Sequence, residues 1–223
     1  MNDYLVQLTD VQLYHRKSLT LSGINLNISP GEFVYLIGKT GSGKTTLLRS
    51  LYGDIAVNEG EIHVAGFDLR KISTRKIPFL RRKLGIIFQD FHLLTDRSVK
   101  DNLLFVMKAT GWKNKQLIDM RIEEVLNMVS LEGKAYKMPH ELSGGEQQKV
   151  VIARALINDP LVIIADEPTG NLDPEISDEI IKLLHNIKKD GVAVIMATHD
   201  YRLIEKFPSR IIKVEDNRVS EFS

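Results

Sequence analysis

The chain has 223 residues, 43% apolar and 26% charged, with 30 basic against 29 acidic side chains and a formal net charge of +1. That is enough chain for one large domain or a core with a subdomain, too apolar for a disordered segment and too evenly charged for a dedicated nucleic-acid binder. The absence of cysteine excludes disulfides, thiol catalysis and Cys-ligated zinc, and is compatible with a reducing cytoplasm. Met1 to Tyr4 lacks the basic and then apolar stretch of a signal peptide, and apolar runs such as Val192–Ala197 fall far short of the ~20 residues that span a bilayer, so a membrane role is expected to need a partner.

The elements follow from periodicity. Tyr4–Leu8 and Ile24–Ile28 alternate apolar and polar residues, which predicts half-buried strands; Pro30-Gly31 marks a turn, and the continuous apolar run Phe33–Ile37 predicts a buried central strand. A glycine-rich turn leads into a helix over Thr45–Tyr52, and strands are expected at Gly60–Val64 and Leu84–Phe88. Residues 90–158 contain no convincing strand; Ile118, Ile122, Val125, Leu126 and Val129 instead fall at helical spacing within Lys115–Val129. Beyond them Leu161–Ala165 and Val192–Ala197 predict buried strands, separated by a helix striped with Ile176, Ile180, Leu183, Leu184 and Ile187. Strands alternating with helices imply parallel βαβ units, so the fold expected is α/β with a mainly helical insertion. No internal repeat or interdomain linker is evident.

Two segments carry chemistry. Gly38-Lys39-Thr40-Gly41-Ser42-Gly43-Lys44-Thr45 fits the phosphate-loop pattern G-x-x-x-x-G-K-[ST] between a strand and a helix. Its glycines let backbone N–H groups turn inward around phosphate oxygens, and the helix N-terminus adds partial positive charge. Lys44 would neutralise the β- and γ-phosphates of ATP, and the Thr45 hydroxyl would ligate Mg²⁺. Asp166-Glu167, at the carboxyl end of the second buried run, would supply a Mg²⁺ carboxylate and a general base for the attacking water. A third segment, Leu142-Ser143-Gly144-Gly145-Glu146-Gln147, reads physically as a capping box, with Ser143 as N-cap and Glu146 three residues on.

That third string closely resembles the signature motif of ABC-type ATPases. Gln89 resembles the Q-loop glutamine, Asn171-Leu172-Asp173 the D-loop, His199 the switch histidine and Tyr14 the aromatic that stacks on adenine. The motifs run in family order from Tyr14 to His199. The resemblance implies a P-loop NTPase (RecA-like) core with an N-terminal antiparallel β subdomain and an inserted helical subdomain. The chain is then a single domain over residues 1–223, its core formed by 1–89 and 159–223 and its helical part by 90–158. The resemblance further implies catalytic roles for Lys44, Gln89, Glu167 and His199. ATP contacts are expected from Tyr14, from Gly38 through Thr46 (Lys39, Thr40, Gly41, Ser42 and Gly43 included), from Ser143, Gly144, Gly145, Glu146 and Gln147, and from Asp173; Mg²⁺ contacts from Thr45, Gln89 and Asp166. Each ATP would lie between the phosphate loop of one copy and the signature motif of a second.

Ile77–Leu94, Asp96–Asn102 and Ala165–Asp173 resemble the FtsE-type branch of the family; the last stretch is shared with lipoprotein-releasing and macrolide-exporting types, the competing readings. The FtsE-type resemblance implies an FtsX-like integral membrane partner, attachment through it to the cytoplasmic face of the membrane, a role in activating cell-wall hydrolases during division, and no nucleic-acid partner. A nucleotide-dependent scaffold with incidental turnover is the alternative from another class. Residues 70–83 hold Arg70, Lys71, Arg75, Lys76, Arg81, Arg82 and Lys83 and no acidic residue, leaving 23 basic against 29 acidic residues elsewhere. This is either a solvated surface or a patch facing anionic headgroups or the membrane partner.

Overall fold

The computed structural model describes residues 4–15, 18–188 and 190–222. Strands β1 (Val6–His15), β2 (Ser18–Ile28), β4 (Glu59–Val64) and β5 (Phe67–Asp68) form an antiparallel sheet in the order β2-β1-β4-β5. A larger sheet takes the order β10-β9-β3-β8-β7-β6, from β3 (Phe33–Ile37), β6 (Leu84–Ile87), β7 (Val162–Asp166), β8 (Ala193–Ala197), β9 (Arg210–Glu215) and β10 (Arg218–Phe222). All its neighbours pair in parallel except the β9–β10 hairpin at the edge.

The unbroken apolar runs of β3, β7 and β8 reflect burial on both faces of this sheet. Phe33, Tyr35 and Ile37 point into one core with Ile163, Ala165, Val194 and Met196. Val34 and Leu36 point into the other with Val162, Ile164, Ala193 and Ile195. The first core is covered by helices α3 (Val99–Ala109), α4 (Lys115–Met128), α5 (Gly144–Leu156) and α6 (Pro174–Lys188); the second by α1 (Lys44–Leu51) and the antiparallel sheet. Between β6 and β7 the described chain is helix and loop only. Ser98, Asn114 and Ser143 cap α3, α4 and α5, each side chain accepting a backbone N–H of the first turn.

Several boundaries differ from the sequence expectation. The first two strands are longer than alternation suggests, because irregularities near Asp10 (φ 49°) break the period-2 pattern without ending the pairing. The strand expected over Leu84–Phe88 ends at Ile87, which leaves Phe88 and Gln89 beyond the sheet. The expected α1 starts one residue earlier, at Lys44. The short helices α2 (Ile77–Arg82) and α7 (Tyr201–Lys206) and the β9–β10 hairpin carry too few periods to register in the sequence.

Arg121 joins α4 to the end of α5 and to the turn that leads into β7. Its side chain is 9% exposed and donates to the carbonyls of Leu156 (2.6 Å) and Ile157 (3.2 Å), where α5 ends, and to Asp159 (2.6 Å) and Glu124 (2.8 Å). The last carbonyls of a helix need such donors, and a guanidinium also opposes the negative end of the dipole. Arg121→Met is expected to lower unfolding stability by about 2–3 kcal/mol, because it strands buried acceptors; a urea midpoint equal to the parent's would show that the clamp carries no stability.

Candidate functional site

Gly38 leaves β3 with φ 151°, and a Cβ there would lie 2.3 Å from Val214 O; Gly43 has φ 108° at the start of α1. Only glycine accepts these conformations and that approach, so the chain turns sharply from strand to helix, with Ser42 N–H donating to Lys39 O (3.1 Å) across the bend. Lys44 is nearly buried, and its ammonium donates to the carbonyls of Gly38 (2.7 Å) and Lys39 (3.3 Å). The buried Ser42 hydroxyl has no hydrogen-bond partner among the described residues. The Thr45 hydroxyl donates to Asp166 Oδ2 at 2.8 Å, which ties the start of α1 to the end of β7.

Glu167 follows Asp166 with φ 49°, a left-handed conformation uncommon for a residue with a side chain. Its N–H donates to Ala197 O (3.0 Å) at the end of β8, and its carbonyl accepts from Gly170 N–H (3.1 Å). Those bonds hold the strain and turn the carboxylate, 13% exposed, to within 2.9 Å of His199 Nδ1. Thr198 is buried, and its hydroxyl accepts from Asp200 N–H; Asp200 in turn caps α7. Arg202 of α7 donates to Asp178 (2.6 Å) and Lys206 to the same carboxylate (2.5 Å), which keeps Asp178 ionised below the usual carboxylate range and anchors α7 on α6.

Thr40, Gly41, Gly43, Lys44, Thr45, Thr46, Gln89, Asp166, Glu167 and His199 line one cleft of ≈ 650 Å³ together with Ser18 and Thr20 of β2. The last two escape sequence reasoning: they enter through the hairpin register, which local sequence does not display. Gly38, Lys39, Ser42, Ser143, Gly144, Gly145, Glu146, Gln147, Asp173 and Tyr14 do not line it. The Tyr14 hydroxyl instead lies 3.0 Å from both Gln12 and Glu59, and that bond to Glu59 raises its pKa. Ser143 and Glu146 form the expected reciprocal cap, Ser143 Oγ accepting Glu146 N–H (3.2 Å) and Glu146 Oε2 accepting Ser143 N–H (2.9 Å).

The phosphate-type loop, the two acidic residues at the end of β7 and the second glycine-opened helix all fall within residues 21–170, which match a family model described as ABC transporter. The chain belongs to the ABC transporter family. It is 43% identical over 216 residues to the cell division ATP-binding protein FtsE of Streptococcus pneumoniae, covering 96% of this chain and 94% of that one. It is 46% identical over 199 residues to the protein of that name from Mycobacterium tuberculosis (89% and 86%) and 45% identical over 196 residues to that from Bacillus subtilis (88% and 86%). Among solved structures, cbiO1 from Clostridium perfringens, part of the ABC transporter complex cbiONQ, superimposes with a TM-score of 0.90 at 31% identity, covering 98% of this chain and 88% of that one. The dimeric, post-hydrolysis cassette MJ0796 bound to ADP and Pi superimposes at 0.85 with 33% identity and 98% coverage of both chains. This chain is thus an ABC ATPase that binds and hydrolyses ATP.

In this ABC ATPase the loop after β6, the signature-like helix opening and the loop before α6 pack on one another. A Cβ on Gly144 would meet the Leu172 side chain at 3.5 Å and the Phe91 ring at 3.9 Å, and one on Gly145 would lie 2.6 Å from Ile176. The largely buried Arg154 of α5 donates to the carbonyls of Phe91 (3.0 Å) and His92 (2.7 Å), and desolvation lowers its pKa. The buried Asn102 of α3 closes the same loop through Leu94, accepting its N–H (2.8 Å) and donating to its carbonyl (3.0 Å). Sequence reasoning passes over Arg154, although a lone cation within Ile152-Ala153-Arg154-Ala155-Leu156 is a signal for a buried, specifically paired charge. Arg154→Met is expected to speed amide exchange across residues 90–97 about tenfold while leaving α5 protected, as measured by hydrogen–deuterium exchange; unchanged exchange would show that the tether is redundant.

Proposed function

We propose that this chain is the FtsE-like ATPase subunit of a cell-division membrane complex. In this reading it works as a head-to-tail pair with a second copy of itself and is held at the inner face of the membrane by an FtsX-like integral protein. The observation that carries the catalytic part is the single cleft in which the loop from Gly38 to Thr45 meets Asp166, Glu167 and His199. There Lys44 and N–H groups of the loop bind the phosphates, with the unpartnered Ser42 hydroxyl as a further donor. Glu167 accepts a proton from the attacking water, and His199, whose Nδ1 faces that carboxylate, orients it. Gln89 borders the cleft from the end of β6.

The residues present fit Mg²⁺. No group of three or more His, Cys, Asp or Glu among the described residues forms a metal cage. Thr45 and Asp166 offer two hard oxygens 2.8 Å apart. Mg²⁺ is held by few protein oxygens together with waters and substrate phosphates, and adjacent ligands of its octahedron lie about 2.9 Å apart. When bound, the ion would offset phosphate charge.

The dimeric reading is supported by the separation within one chain of the cleft from Ser143–Gln147 and Asp173, together with the dimeric state of the MJ0796 cassette. The membrane reading is supported by the name shared by the FtsE relatives; among the described residues, no helix is long and apolar enough to cross a bilayer.

Glu167→Gln should leave ATP binding intact and slow turnover by about 10²–10⁴, and Lys44→Ala should lose nucleotide binding. Near-parental turnover in the first, or parental ATP affinity in the second, would remove those assignments. The paired site is tested by mixing: Lys44→Ala chains and Ser143→Asp chains, the latter still capped but with a carboxylate facing phosphate, should each be inactive and regain turnover together. No recovery overturns the composite site. Capture of an FtsX-like protein from detergent-solubilised membranes tests the partner, and capture of a lipoprotein-release permease instead would redirect it.

A further inference from the structure

The basic segment 70–83 divides into two groups once its partners are known. Four of its cations are turned back onto the protein. Arg70 donates to Gly60 O (3.3 Å), Lys71 pairs with Asp68 (3.2 Å), Arg81 donates to Tyr52 O (3.1 Å) and approaches Asp54 (3.9 Å), and Lys83 reaches Ala65 O (3.4 Å). Arg75 and Lys76 are exposed and have no acidic partner among the described residues. Arg82 lies with its guanidinium 5.2 Å from the centre of the Phe79 ring, and Phe79 is 54% exposed.

Arg75 and Lys76 gain nothing from the helix that follows them, whereas Arg82, in the last turn of α2, complements its dipole. Arg75 and Lys76 end a 3-10 turn that runs into the start of α2, whose first turn holds no acidic residue. Cations at a helix start oppose its dipole, so local stability does not explain them. Nor does burial explain Phe79. Arg81 borders clefts of ≈ 430 Å³ and ≈ 610 Å³ and Arg82 the larger of the two, but Arg75, Lys76 and Phe79 line neither and lie on open surface beside it. A bound peptide would be expected to find a groove or a sheet edge. Long cationic side chains around a solvent-facing phenyl ring instead suit a diffuse anionic layer with apolar depth beneath it, where the ring enters and the charges remain at headgroup level. Outside Arg75, Lys76 and Arg82 the chain has 27 basic against 29 acidic residues, so these three cations stand out from a nearly balanced remainder.

We propose that Arg75, Lys76, Phe79 and Arg82 form a direct contact surface for anionic lipid headgroups. The surface deepens the membrane-complex reading, on which it rests for the direction of approach, by giving the ATPase its own lipid contact beside that of its partner. It orients the chain at the bilayer before the partner is engaged and raises the local concentration from which engagement occurs. Because each contact is electrostatic and solvent-exposed, the association is weak, reversible and salt-sensitive.

The test is co-sedimentation of the purified full chain with vesicles that contain no protein. Vesicles of phosphatidylcholine mixed with phosphatidylglycerol should retain the chain at low ionic strength, pure phosphatidylcholine should not, and salt should release it. The double variant Arg75→Gln/Lys76→Gln should lose about 25-fold in partitioning, at roughly five-fold per cation. Phe79→Ser should weaken retention on the anionic vesicles at the same low ionic strength, with no change of charge. Lys113→Gln/Lys115→Gln, an equal change of charge elsewhere on the surface, should have little effect, and ATP turnover in solution should be unaltered in all of these variants. Equal retention by neutral vesicles, or undiminished retention of the Arg75/Lys76 variant on anionic ones, overturns the proposal. Retention on single-stranded DNA but not on vesicles overturns it in favour of a nucleic-acid surface. Retention only on vesicles carrying an FtsX-like protein, unaffected by these substitutions, overturns it while leaving the membrane-complex reading standing; capture of no membrane protein, with lipid binding intact, does the reverse.

Discussion

Strands β3, β8, β7 and β6 lie side by side and run the same way, so their carboxyl ends come out along one edge of the sheet. The loop Gly38–Thr45 leaves β3, His199 follows β8, Asp166 and Glu167 close β7, and Gln89 lies just beyond β6. Every group that lines the ATP cleft from the parallel sheet is therefore placed by strand order and register. A one-residue slip of β7 would exchange its two faces and send Asp166 away from Thr45, a residue 121 positions distant in sequence. Register is secured because both faces of β3, β7 and β8 are buried, in two cores that share no residue. The apolar packing of these strands is thus what brings the polar ends together.

This explains which features can be read without coordinates. The runs Phe33–Ile37, Leu161–Ala165 and Val192–Ala197 are legible because burial on two faces leaves no room for polar residues. The phosphate-type loop is legible because its demands are local: glycine where φ is positive, lysine and threonine where a helix begins. The contacts of Thr45 with Asp166 and of Glu167 with His199 depend on strand order and become visible only in the fold. The same holds for Ser18 and Thr20, carried to the cleft by a hairpin whose irregularities displace its alternation, and for α2 and α7, which are too short to show a period. Motif order brings Tyr14 to notice, yet its hydroxyl is occupied by Gln12 and Glu59, a cross-strand bond that no local pattern announces.

Phe91, Gly144 and Leu172 bring together three loops that belong to different parts of the chain. Interdigitated contacts of this kind do not deform gradually, since a close-packed junction transmits displacement. Arg154 makes the junction stiffer by holding the carbonyls of Phe91 and His92 from the opposite end of the helix that Ser143 caps, and Arg121 holds the end of that helix in turn. The helix α5 is therefore fixed at its start by a capping box and near its end by two arginines from different surroundings. A shift in the loop after Gln89 then moves Ser143 and Gly144 as part of one body.

Charge in the open cleft is partly offset within the protein and largely screened by water. Lys44 lines the cleft with Asp166 and Glu167, while the exposed Lys39 of the same loop does not, so the carboxylate charge is only partly offset before any nucleotide arrives. A triphosphate brings several negative charges close to two carboxylates, and in an open cleft water screens both that repulsion and the attraction to Lys44. Glu167 is already largely shielded at 13% exposure, but His199, 2.9 Å away, remains 70% exposed. A hydrogen bond between groups of such different hydration gains most when the wet partner is covered, because the same charges interact more strongly once water is excluded. Covering His199 would also confine any water held beside Glu167. A surface that does so gains most by bringing donors for phosphate, and a capped helix start of the Ser143-Gly144-Gly145 kind offers them beside a Glu146 carboxylate that already accepts the Ser143 N–H.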